Sequence, residues 1–79
     1  MAETISDRHL TSLVLDSLSS SLRIALVLCD MDGLSYDEVA KSLGISLSAA
    51  KMRIKRAREE FRIKFSQAQA ASTAVAGSR

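Results

Sequence analysis

Gly44-Ile45-Ser46 stands between two segments that both read as helices, and these three residues limit the possible folds more than any other stretch. Upstream, Ser35 is placed to cap a helix, and Glu38, three residues on, completes a capping box. Leu34 before the cap and Val39 after it match a hydrophobic staple. Val39, Ala40 and Leu43 then form a short apolar face. Gly44 follows, where a helix ends best on a residue that accepts the left-handed conformation. Ile45 is expected to tuck into the core and Ser46 to cap the next helix. The pattern is helix, tight turn, helix, and Ala40 is small enough to let the two helices cross closely.

The second of these helices is predicted from Leu47 to Phe65. Leu47, Ala50, Ile54, Ala57, Phe61 and Phe65 fall within an arc of about 80° at 3.6 residues per turn. Lys51, Lys55, Arg58 and Arg62 flank that arc on one side, Arg53 and Lys64 on the other, and Ser48, Met52 and Arg56 lie across from it. Upstream of the pair, Leu10, Leu13, Val14 and Leu18 predict a helix over 7–18 with one buried stripe. Ser19-Ser20-Ser21 interrupts it, because serines compete for backbone hydrogen bonds and favour caps. Another helix is expected from Leu22 to Met31. It carries two apolar stripes, Ile24, Val27, Leu28 and Met31 on one side and Leu22, Ala25, Leu26 and Cys29 on the other. A helix apolar all round is either central to its domain or holds one side for a protein partner.

The expectation is an all-α fold, a small bundle of about four helices containing a helix-turn-helix over residues 7–65. A flexible N-terminus (1–6) and a flexible Ala/Ser-rich tail (66–79, SQAQAASTAVAGSR), with some helical extension open at its alanines, flank it. Composition agrees. Seventy-nine residues make one small domain, and its apolar residues are mainly Leu, Ile, Val and Ala, with two Phe, one Tyr and no Trp. The single cysteine excludes an internal disulfide and suits a cytoplasmic location. Cys29 reads as a small core residue, and His9 offers no metal-ligand spacing. No membrane-crossing run, export signal, phosphate-cradling loop, nucleophile elbow or zinc spacing is present. An enzyme, a cofactor and a metal site are therefore not expected.

Charge is uneven. Residues 51–64 carry seven Lys/Arg and two Glu, a balance of +5, while the rest of the chain is −3 and the whole is +2. Such asymmetry suits a polyanionic partner. A helix-turn-helix sets its second helix into the DNA major groove by its N-terminal residues, and phosphates supply much of the affinity.

Three motifs carry a resemblance: Gly33-Leu34-Ser35-Tyr36-Asp37-Glu38-Val39-Ala40, Leu43-Gly44-Ile45-Ser46, and Lys51-Met52-Arg53 with Arg56-Ala57-Arg58. Over roughly Leu10 to Phe65 the chain resembles region 4 of bacterial sigma factors, particularly the extracytoplasmic-function group. The resemblance implies recognition of the promoter minus-35 element in double-stranded DNA, docking on the β flap of RNA polymerase core, and capture by an anti-sigma factor. It also implies roles by position. Lys51, Met52 and Lys55 match residues facing base edges, and lysine can donate to guanine O6 and N7. Arg53, Arg56 and Arg58 match residues near phosphates, with Ser46 and Ser48 adding contacts at the helix N-terminus.

The chain departs from the family at Ser19 and Ser20, which replace a proline pair, and at Ala49 and Ala50, which replace threonine and valine. Met52 replaces a serine and brings an apolar group able to touch a thymine methyl. Region 2 of the family has no counterpart in these residues, so an excised domain or a stand-alone region 4-like protein is expected. Two alternatives stay open: the effector domain of a response regulator, and a protein-interaction module using the face of Leu22, Ala25, Leu26 and Cys29.

Overall fold

The computed structural model describes the backbone of residues 7–77 and the side chains of residues 8–71, so the expected flexible segment 1–6 lies outside it. Four α-helices follow in order: α1 (Asp7–Ser17), α2 (Ser20–Leu26), α3 (Tyr36–Leu43) and α4 (Leu47–Gly77). α2 runs on into a π-helical turn, Val27–Met31. No strand occurs among the described residues. The architecture is the expected small all-α bundle, with α4 packed against α1, α2 and α3.

α1 buries Leu10, Val14 and Leu15, and Leu18, just past its end, continues the buried stripe. Leu13, expected in that stripe, is 47% exposed, and Leu15 takes its place. At about 100° per residue, Leu13 falls roughly 120° from the centre of the stripe that the other four define. The helix ends with the Ser17 hydroxyl donating to the Val14 carbonyl at 2.6 Å. Lys64 of α4 donates to the Ser17 carbonyl at 3.2 Å, which satisfies an orphan acceptor at a helix C-terminus.

The serine interruption acts as a cap. Ser19 is extended (φ −61°, ψ 155°) and its side chain accepts from the Leu22 amide at a long 3.5 Å. The helix predicted to run regularly to Met31 instead widens after Leu26. The Asp32 amide reaches back five residues to the Val27 carbonyl at 2.9 Å, and the Leu34 amide reaches the Leu28 carbonyl at 3.0 Å. Gly33, at φ 77°, then reverses the chain.

The helix-turn-helix forms as its caps dictate. Ser35 donates its amide to Glu38 Oε1 at 2.8 Å, and Glu38 donates its amide to Ser35 Oγ at 3.1 Å. Gly44 adopts φ 69°, ψ 34°, and the Ile45 amide bonds the Ala40 carbonyl at 3.0 Å, closing a Schellman-type end. Ser46 Oγ accepts from the Ala49 amide at 3.1 Å and starts α4.

The core has two parts. One gathers Leu15, Leu18, Leu22, Leu26 and Ala57, with Val27 and Phe61 against it. The other gathers Ala25, Val39, Ala40, Ala50 and Ile54, with Leu28, Cys29, Leu34, Leu43 and Ile45 around it. The predicted arc of α4 is thus buried at Ala50, Ile54 and Ala57, while Leu47 at its start is 42% exposed. Phe61 and Phe65 stack with ring centroids 5.6 Å apart. α4 does not stop at Phe65, where a flexible tail was expected to begin, but continues to Gly77. Its added turns are rich in alanine and glutamine, good helix formers. At a rise of about 1.5 Å per residue, 31 residues account for most of the 50 Å length of a molecule only 18 Å and 16 Å across.

Candidate nucleic-acid interface

With Ala50, Ile54 and Ala57 fixed against the bundle, the helical period decides what faces outward. Ser48, Met52 and Arg56 lie across from that buried side and Lys51 and Lys55 along one flank, and all five are exposed. Met52 sits nearest the apex of this face and is 63% exposed. Arg53, on the other flank, is half-buried. Ser46, at the N-terminus of α4, is exposed beside them, its oxygen engaged as the cap. Six of the eight sequence-predicted DNA contacts are thus exposed at the start and along the outer sides of one helix, with Arg53 half-buried at its edge. Tyr36, Lys51, Lys55, Arg58, Glu59 and Arg62 line an open groove between the first turn of α3 and α4. Lysine and arginine outnumber the carboxylate there, so the groove favours an anion.

The eighth residue, Arg58, is differently placed. Its Nε donates to Asp30 Oδ2 at 3.0 Å and its Nη2 to Asp30 Oδ1, a bidentate pair. Its Nη1 donates to the Tyr36 hydroxyl at 3.2 Å, and Nη2 also approaches Cys29 Sγ at 3.6 Å. The paired guanidinium holds the Asp30 carboxyl below the usual carboxylate range, and Asp30, with Tyr36, raises Arg58 above the usual guanidinium value. Burial, then the Asp30 charge, pushes the Cys29 thiol up. Asp30 lies 28 positions from Arg58, and short-range pattern offers no signal for that pairing.

The chain matches the family profile described as Sigma-70, region 4, over residues 9–61. It belongs to the sigma-70 region 4 family. The match also sets aside the response-regulator alternative. This region 4 domain is 48% identical over 48 residues to the ECF RNA polymerase sigma factor SigE of Mycolicibacterium smegmatis, covering 61% of the chain and 19% of that protein. It is 38% identical over 55 residues to the ferric citrate uptake sigma factor FecI of Escherichia coli K12, covering 66% and 32%. Against the ECF RNA polymerase sigma-E factor of the same strain it is 38% identical over 52 residues, covering 66% and 27%. The chain thus spans less than a third of the length of each of these relatives.

The region 4 domain corrects the expected partner face. Leu22 and Leu26 belong to the leucine-rich core, Ala25 is fully buried against α3 and α4, and Cys29 is half-buried beside it. Residues of α1, α3 and α4 cover what looked like a free stripe, and α4 is the helix that packs against all the others. The apolar side chains this segment does expose are Ile24 (46%) and Met31 (56%), from the other apolar stripe.

Proposed function

We propose that this domain reads promoter DNA for an alternative sigma factor, laying the first turns of α4 in the major groove at the minus-35 element. The observation that carries this is the outward face of α4, where Met52 stands opposite the buried side of a helix-turn-helix and Lys51 and Lys55 are exposed along one flank of it. Lys51 and Lys55 donate to guanine O6 and N7. Met52, at the apex, meets a thymine methyl, which would otherwise be matched by a polar side chain reaching for a base edge. Arg53, Arg56, Ser46 and Ser48 hold the phosphates and set the register without reading sequence. Arg58 is left out of this set, since its fork already holds Asp30.

Docking on the β flap of RNA polymerase core, and capture by an anti-sigma factor, use another surface. The exposed Ile24 and Met31 support that use, with Ile24→Asp expected to reduce capture of core polymerase while DNA binding persists. A cytoplasmic location follows from these partners.

The test begins with enrichment of binding duplexes from a randomised pool, followed by anisotropy titrations over a range of salt. Lys51→Ala relaxes preference at one or two base pairs, and Arg56→Ala weakens binding to all sequences and lowers the salt slope by about 1. Failure of the wild-type domain to enrich any sequence overturns the reading.

A further inference from the structure

Arg58 joins three elements through one planar group. Its fork grips Asp30 in the π-helical turn, its third nitrogen bonds Tyr36 at the first position of α3, and its backbone belongs to α4. A bidentate arginine–carboxylate pair fixes direction as well as distance. The reading end of α4 has little else of this kind, since Phe61 and the Lys64–Ser17 bond lie beyond Arg58. Ala50 and Ala57 offer its neighbours no side chain long enough to lock the helix against rotation about its axis, and between them Ile54 is the large side chain that is fully buried. Lys55 lies three residues before Arg58, less than one turn away, and a continuous helix carries its azimuth on to Met52 and Lys51.

Resting on the DNA-reading function above, we propose that Arg58 is a positioning residue: held by Asp30 and Tyr36, it sets the rotation of α4 so that Lys51, Met52 and Lys55 face the bases, and it binds no phosphate. The widened turn at Val27–Met31 belongs to the same device, because it carries Asp30 to the side of α4 where Arg58 emerges. Tyr36 adds a second anchor next to the Ser35 cap, so the start of α3 and the middle of α4 are referred to one point.

The experiment compares an enriched duplex with a scrambled duplex of equal length, by anisotropy over a range of salt, in the 79-residue chain. Arg58→Lys keeps the charge and loses the fork. Asp30→Asn keeps Arg58 and loses its ionic partner. Both are expected to weaken the enriched duplex about tenfold, as loss of one base contact would, while scrambled-duplex affinity and salt slope stay at wild-type values. Tyr36→Phe gives a smaller loss of the same kind, about twofold to threefold. Circular dichroism confirms that the variants compared are folded, and Tyr36→Phe carries the test should either ionic variant melt. Three results overturn the proposal: Arg58→Lys behaving as wild type on both duplexes, Asp30→Asn tightening binding by releasing a phosphate contact, or a parallel loss on both duplexes. Wild-type discrimination between the duplexes in the same titrations keeps any of these separate from failure of the DNA-reading function.

Discussion

The two halves of the core are built by different means. Beneath α1 and α2 the bundle is filled by volume, with four leucines meeting over Ala57. Beneath α3 it is filled by approach, with Ala25, Ala40 and Ala50 letting helices close around Val39 and Ile54. The ends of the elements differ in the same sense. α3 has a reciprocal capping box and a left-handed glycine stop, whereas α2 starts on a single 3.5 Å cap contact and ends by widening into a π-turn. The half that presents the DNA-reading face is thus fixed by backbone geometry and close packing, and the other half by bulk. Bulk tolerates exchange of shape, while close approach does not.

The largest effect belongs to the residue that anchors the alanine-rich half. Ile54→Ala removes a side chain that is 1% exposed and should cost about 2–5 kcal/mol in denaturant unfolding. A smaller change separates the halves directly. Ala40→Leu forces apart two helices in contact and should cost about 1–3 kcal/mol, whereas Leu22→Met in the leucine half should cost less than about 1.5 kcal/mol. Equal losses from this pair would erase the distinction between the halves. Gly44→Ala tests the turn alone. A Cβ there meets nothing within 4 Å, so the expected loss of about 1–2 kcal/mol in thermal or chemical unfolding is the backbone cost of φ 69°.

The smallest effect comes from the link between the halves. Asp30 has its carboxyl pKa lowered by Arg58, so its contribution is present above the unfolded-state value near 3.9 and is lost as pH falls through the lower folded value. Both partners are substantially exposed, at 45% and 39%, so solvent screening limits the pair to well under about 1 kcal/mol. The stability gap between wild type and Asp30→Asn should therefore be small at neutral pH and close in acid, a trend that denaturant titrations at stepped pH would follow.

What could be read from the sequence follows the same division. The cap at Ser35, the stop at Gly44 and the start at Ser46 act over three to six residues, so their geometry is written in adjacent letters. The buried side of α4 is equally plain, because a period of 3.6 leaves few assignments for Ala50, Ile54 and Ala57, and with it comes the candidate DNA face. The exchange of Leu13 for Leu15 was not legible, since both are leucines and only the direction of α4 decides between them. The same ambiguity left a partner face at Leu22, Ala25 and Leu26 open as an alternative, when residues of α1, α3 and α4 cover it. The π-turn has no signature in residue type, and without it nothing in the sequence brings Asp30 to Arg58. α4 outran its expected end because the small residues that suggest a loose tail include alanine, the strongest helix former.

That long helix has neither glycine nor proline from Leu47 to Ala76. Glycine and proline are where helices bend most readily, so the rod that touches promoter DNA at one end has no joint along the part that α1 and α2 grip. A torque applied at the leucine end, by whatever presses on Ile24 or Met31, arrives at Met52 as a turn of the same shaft.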